Sequence, residues 1–163
     1  MTRLDAFIRR MKAQRSCIDA VAQDIGQLTG PVLELGLGNG RTYDHLRSRL
    51  QPREIFVFDR EIAAHPDCIP PPHLCRLGDF RQTVPAYLAE GHAAAAFIHG
   101  DIGSSDKAAS IRLAADLAPT LLQILAPGGY LACDQPIVLD GLLPRPLPGE
   151  VDDGRYYLYQ RAS

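Results

Sequence analysis

The residues best suited to chemistry stand at short intervals behind apolar runs. Glu34-Leu-Gly-Leu-Gly-Asn-Gly40 is an acidic side chain followed by glycines at every second position. Glycine tolerates positive φ and lets a backbone come close to a ligand. The spacing differs from the dinucleotide fingerprint G-x-G-x-x-G/A, because Arg41 fills the third glycine position, where a small residue would have to admit a pyrophosphate. Glu34 also sits poorly beside a pyrophosphate and suits a ligand carrying an ammonium or sulfonium charge. Asp59 follows the next apolar run, roughly twenty residues on, where a carboxylate accepts both hydroxyls of a ribose. Asp79-Phe80 offers a carboxylate for an exocyclic amine and a ring face for a base. His99, Asp101 and Asp134 complete the set.

Each of these groups has a plainer use. Glu34 could partner an arginine of the N-terminal segment, Asp59 could cap a turn, and Asp79 could cap the following helix. A histidine among apolar neighbours is often a hydrogen-bonded buried imidazole; the sharper reading makes His99 a general base toward a substrate.

Ligands of open α/β sheets bind beyond the carboxyl ends of the strands, so the elements before these residues should be strands. Pro31 to Leu35, Glu54 to Phe58 and Ala93 to Ile98 read as buried strands. His73 to Leu77 reads as a short one, Tyr130 to Cys133 as a fifth and Tyr156 to Gln160 as a last. Between them, Arg41 to Leu50, part of Phe80 to Glu90 (with Pro85 limiting its start) and Ser104 to Leu125 read as helices. Ser104, Ser105 and Asp106 are good N-caps. Ala126-Pro-Gly-Gly129 breaks the long helix. Leu4 to Leu28 carries an apolar stripe at helical spacing through Leu4, Phe7, Ile8, Met11, Ile18, Val21, Ala22 and Ile25. Strand–helix alternation with near-continuous apolar strands predicts a doubly wound, mostly parallel sheet covered on both faces. The expected division is one domain over 1–163: an N-terminal helical segment (1–30), a core (31–134), and a short proline-rich loop with a terminal strand (135–163).

Taken together, these segments resemble the class I S-adenosylmethionine-dependent methyltransferases over about Val32 to Asp134. Phe97-Ile-His-Gly-Asp-Ile-Gly103 matches the segment that borders the methyl group in that family. Leu125-Ala-Pro-Gly-Gly-Tyr-Leu131 looks like its L-x-P-G-G-x-L turn before strand five. The resemblance implies a Rossmann-like methyltransferase fold, abbreviated after strand five, and S-adenosyl-L-methionine as cofactor. It places cofactor contacts on Glu34, Gly36, Leu37, Gly38, Asn39, Gly40 and Thr42. Further contacts fall on Asp59 and Arg60, on Gly78, Asp79 and Phe80, and on Asp101, Ile102 and Gly103. His99, Asp101 and Asp134 would face the acceptor.

The departures matter too. No N/D-P-P-Y motif follows strand four, which argues against methylation of base amino groups. His99 stands where catechol-type O-methyltransferases place a metal-binding Asp, and histidine substitutes poorly for an oxygen ligand of Mg²⁺; no metal is expected. The short stretch after Asp134 limits the acceptor pocket. A non-catalytic binding module and, less well matched, a nicotinamide-dependent reductase therefore stay as alternatives.

Bulk properties agree with this reading. The chain of 163 residues is 46% hydrophobic and 22% charged with net charge −2, which gives no general pull toward nucleic acid or anionic membrane. Arg3, Arg9, Arg10, Lys12 and Arg15 read as a solvated face. Cys17, Cys68, Cys75 and Cys133 form no C-x-x-C pair and suit reduced thiols. No secretory or membrane-spanning segment is evident, so a soluble, cytoplasmic protein acting on a small-molecule acceptor is expected. The apolar faces of the N-terminal helix and of the proline-rich loop fit either a roof over the pocket or a contact within a homo-oligomer.

Overall fold

The computed structural model describes residues 1–163. Seven strands form one sheet in the order β3-β2-β1-β4-β5-β7-β6. They are β1 (Val32–Leu35), β2 (Ile55–Asp59), β3 (Cys75–Leu77), β4 (Ala95–Gly100), β5 (Leu125–Cys133), β6 (Leu142–Pro144) and β7 (Tyr157–Arg161). The first five run parallel; β7 is antiparallel to both β5 and β6. Strand order reverses between β1 and β4, so their carboxyl ends open the crevice where ligands of such sheets bind.

Four helices cover the sheet: α1 (Arg3–Asp24), α2 (Arg41–Leu50), α3 (Phe80–Ala89) and α4 (Lys107–Ile124). Val32, Phe97, Ala132 and Leu158 point to one face and pack under α1 and α2 with Cys17, Ile18, Val21 and Leu46. Leu33, Leu35, Ile98 and Leu131 point to the other and pack under α3 and α4 with Tyr87, Leu117 and Leu121. Both faces being apolar explains why β1 and β4 are buried at every residue. Fully buried side chains such as Phe58 and Phe97 each contribute about 2–3 kcal/mol by transfer from water.

The structure corrects several boundaries. β4 runs through His99 and Gly100 instead of ending at Ile98, which changes where the His99 side chain points. α3 starts five residues before Pro85, because Asp79 caps its first turn by accepting from Arg81 N at 2.8 Å. Of the three cap candidates before α4, Asp106 takes the position, accepting from Ala109 N. The Pro-Gly-Gly stretch lies inside β5, where a register shift opposite Ala95 and Phe97 absorbs the extra residues. β6 was not foreseen. The tail is shortened by having no helix between β5 and β6, while both terminal strands are present.

α1 is continuous, and Thr2 and Asp5 form a reciprocal capping box at its start. Only its second half is buried; Leu4, Phe7 and Ile8 are exposed by 66%, 44% and 42%, so the apolar stripe is not a core face throughout. The first half overhangs the carboxyl ends of the strands. No helix is long and apolar enough to cross a membrane.

Candidate functional site

Two adjoining cavities occupy the crevice. The first, about 300 Å³, is bounded by the β1–α2 turn, the residues after β4, and α1 above. The second, about 380 Å³, lies between the ends of β2 and β3 and the start of α4. They meet at Asp59, Phe80 and Ile102, which line both.

Gly36, Leu37, Gly38, Asn39 and Thr42 line the first cavity, with Asp101, Ile102 and Gly103 opposite. The turn is built around close backbone approach. Gly36 has φ +94°, and a Cβ there would run into the Asp101 carbonyl. Gly38 has only open space where a Cβ would be, and its N–H donates to Asp59 Oδ2 at 3.0 Å. Gly40 departs from expectation and lines neither cavity. It is buried against the proline-rich loop, where a Cβ would lie 2.5 Å from Cys68 Cβ. Its absent side chain serves packing behind the turn.

Arg60, Gly78 and Asp79 line the second cavity with Phe80. Asp79 both caps α3 and faces this space, and Asp59 both orders its turn and faces the space, accepting from Gly38 N and from Arg60 N at 2.7 Å. The plain and functional readings of these two carboxylates coexist.

The three candidates for acceptor chemistry separate. Asp101 lines the first cavity, 17% exposed, and accepts from Arg10 Nη2 at 2.7 Å. Asp134 is turned inward. Its Oδ1 accepts from Ile102 N at 3.0 Å, and its Oδ2 from Gly103 N at 2.8 Å and Gln135 Nε2 at 3.0 Å. Burial, with the Asp101 carboxylate nearby, raises its pKa despite those donors. Asp134 therefore shapes the 101–103 turn and lines neither cavity.

His99 is the larger correction. It is fully buried, with Nδ1 2.6 Å from Glu34 Oε2 and Nε2 2.6 Å from the Tyr156 hydroxyl. Both nitrogens are occupied and neither reaches the crevice, so His99 is no base toward an acceptor. The cause is register: His99 pairs with Glu34 across β1 and β4, placing both side chains under α1 and α2. Glu34 is likewise fully buried, and its other oxygen accepts from Thr42 Oγ1. Neither an N-terminal arginine nor the open cavity meets Glu34; Thr42 stands between.

The N-terminal helix does roof the first cavity, one of the two uses expected for it, but sequence reasoning did not single out the side chains that line it. Phe7, Arg10, Met11 and Gln14 lie on one face of α1 at helical spacing and line the first cavity. Arg41 adds its guanidinium 5.7 Å from the Phe7 ring centroid. Gln14 is 1% exposed, and both its amide atoms are without a hydrogen-bond partner. An orphaned amide of this kind costs stability unless a ligand satisfies it. Its signal was there, a neutral amide inside an apolar helical stripe, but polar residues at such positions usually reach solvent. No three His, Cys, Asp or Glu side chains converge in a geometry that could hold a metal ion.

The donor set fits S-adenosylmethionine. Gly38 leaves open space for a ligand to approach the turn, Asp59 stands between the cavities, and the Gln14 amide and the Asp101 carboxylate could partner a zwitterionic end. The family model for S-adenosyl-L-methionine methyltransferases matches residues 1–161. The chain belongs to this family. An S-adenosyl-L-methionine methyl transferase from Silicibacter pomeroyi DSS-3 is 42% identical, with 99% of each chain covered and a TM-score of 0.94. TrmN from Thermus thermophilus is 16% identical over 88% of this chain and 48% of its own, TM-score 0.58. Human methyltransferase-like protein 13, in complex with SAH, is 12% identical over 94% of this chain and 81% of its own, TM-score 0.57. These last two share the fold. A comparison with curated proteins finds no match. The enzyme is thus an S-adenosylmethionine-dependent methyltransferase on a Rossmann-like sheet.

Proposed function

We propose that the methyltransferase binds the methionine end of its cofactor in the first cavity and the adenosyl end in the second, and methylates a small-molecule acceptor beneath α1. The observation that carries this reading is Asp59, which lines both cavities where a ribose joining the two ends would lie. Asp79 and Phe80 suit the amine and the face of adenine; Gly36, Gly38 and Thr42 suit the amino-acid end. The Asp101–Arg10 pair across the cavity has the charges that an α-amino acid carries: an ammonium would meet Asp101 and a carboxylate Arg10.

The cofactor, when bound, supplies an electrophilic methyl group on a sulfonium. The chain's part is then alignment and exclusion of water. Methyl transfer to a competent nucleophile gains most from holding the reacting atoms in line. With His99 and Asp134 both committed elsewhere, Asp101 is the remaining carboxylate at the reacting end. A compact acceptor is supported by the roof that Phe7, Arg10, Met11 and Gln14 make over the cavity, and by a net charge of −2 that gives nucleic acid no general attraction.

Calorimetric titration with S-adenosylhomocysteine tests this. The wild type is expected to bind at micromolar Kd, and Asp59→Ala to bind at least about tenfold more weakly, as expected for loss of charge-assisted hydrogen bonds. NADH serves as the control. Wild-type protein that prefers NADH, or an unchanged Kd in Asp59→Ala, overturns the assignment of the cleft.

A further inference from the structure

A chain of hydrogen bonds runs under the cofactor turn, from α2 to the C-terminal tail. Thr42 Oγ1 donates to Glu34. Glu34 Oε2 and His99 Nδ1 are 2.6 Å apart, as are His99 Nε2 and the Tyr156 hydroxyl, which in turn donates to Gly100 O at 3.0 Å. The Tyr156 hydroxyl has one hydrogen for two neighbours, Gly100 O at 3.0 Å and His99 Nε2 at 2.6 Å. With that hydrogen on the carbonyl, Nε2 donates to the hydroxyl and Nδ1 to the carboxylate, so that the imidazole carries both protons and Glu34–His99 is a buried ion pair, the arrangement that the raised pKa of His99 favours. At the near end, Thr42 spends its proton on Glu34 and lines the first cavity, leaving oxygen lone pairs for a donor there.

We propose that Thr42 is a ligand-binding hydroxyl that accepts from the amino group of the cofactor. In this arrangement Glu34, His99 and Tyr156 are positioning residues that orient it from below. The inference rests on the placement of the cofactor's methionine end in the first cavity. Glu34 then acts on the ligand through Thr42 and not as an exposed counter-charge, its own charge being balanced by His99. Tyr156, in the segment just before β7, is the far anchor; it ties the tail of the fold to the first turn.

The groups around His99 are consistent with a held cation. From β1 it meets Glu34, and from the tail the Tyr156 hydroxyl, kept neutral by burial; the carboxylates of Asp101, just past its own strand, and Asp134, just past β5, add their charge. α1 adds to this side of the sheet the thiol of Cys17, pushed up to about 12 by burial. Burial alone would drive the proton off His99, but the Glu34 carboxylate and its hydrogen bond outweigh this and raise its pKa.

The test is S-adenosylhomocysteine affinity by calorimetry across pH on wild type, Thr42→Val, Thr42→Ser and Tyr156→Phe, with unfolding curves for each. Wild-type binding establishes the cleft; its absence sinks the underlying cofactor assignment, separately from the role of Thr42. Expected are a loss of about tenfold in Thr42→Val with near wild-type affinity in Thr42→Ser, the worth of one charge-assisted hydrogen bond. In Tyr156→Phe the doubly protonated imidazole loses its Nε2 acceptor, so affinity should begin to fall at lower pH than in the wild type; the ligand's own ionisation is common to both. A ring ¹⁵N spectrum of His99 should show the cation at neutral pH. Thr42→Val with unchanged Kd overturns the proposal, as does a neutral His99. So does affinity that improves when His99 loses its proton, which would mean that Glu34 acts as a naked charge. Should Tyr156→Phe not fold, the Thr42 pair and the spectrum still decide.

Discussion

At the residue scale, what separates this site from a generic glycine turn is which groups are free. The Gln14 amide lines the cavity without a partner and Asp101 lines it paired only with Arg10, itself a cavity residue, whereas Glu34, His99 and Asp134 have their polar atoms engaged by protein away from the cavity. The same logic distinguishes the glycines. Gly36→Ala would force a Cβ into the Asp101 carbonyl at a positive φ, a strain costing roughly 1–3 kcal/mol before any clash. It should lower both Tm and S-adenosylhomocysteine affinity. Gly40→Ala should lower Tm by disturbing the Cys68 loop and weaken affinity less. Parallel calorimetry and thermal unfolding on the two variants check this; equal losses of affinity would mean that the turn moves as one piece.

At the element scale, α1 divides into a packed half and a roof. Ala13, Cys17, Ile18 and Val21 are buried, while the turns carrying Leu4 and Ile8 are exposed and are joined to the rest through Arg9–Asp152 and Arg10–Asp101. Such pairs are solvent-screened and hold these turns only weakly. Amide hydrogen exchange should therefore be faster over Arg3 to Lys12 than over Ala13 to Val21, and S-adenosylhomocysteine should slow the first stretch more. Uniform protection along α1 would refute the division. The helix itself was legible from its spacing; the split was not, because a stripe such as Phe7, Met11 and Gln14 reads alike whether it meets a sheet or a ligand cavity.

For the whole molecule, the Glu34–His99 pair links stability to pH with a definite sign. The folded pKa of His99 is raised, so the pair's contribution is complete below the unfolded value of about 6.5 and is lost as pH rises through the folded value. Wild-type Tm should decline over that window. Glu34→Gln leaves a neutral imidazole with a hydrogen-bonded amide, so its Tm should be flatter there, with other alkaline titrations common to both proteins. Parallel profiles in thermal unfolding would remove the ion pair as the cause.

Much was determined by the chain itself. Apolar runs set the strands, and their spacing set a doubly wound sheet. Glycines and acids behind the runs located the ligand crevice, since the ends of parallel strands at a switch point are fixed by topology. Asp59, Asp79, Phe80 and the turn from Gly36 to Asn39 stand where that logic puts them. Only tertiary structure decided what His99, Glu34 and Gly40 do. Two further residues of strand at the end of β4, His99 and Gly100, turn the histidine from the crevice onto a face of the sheet, because side chains alternate faces. Its register with Glu34 and its contact with Tyr156, 57 residues away in sequence, depend on pairing and packing that no local pattern encodes.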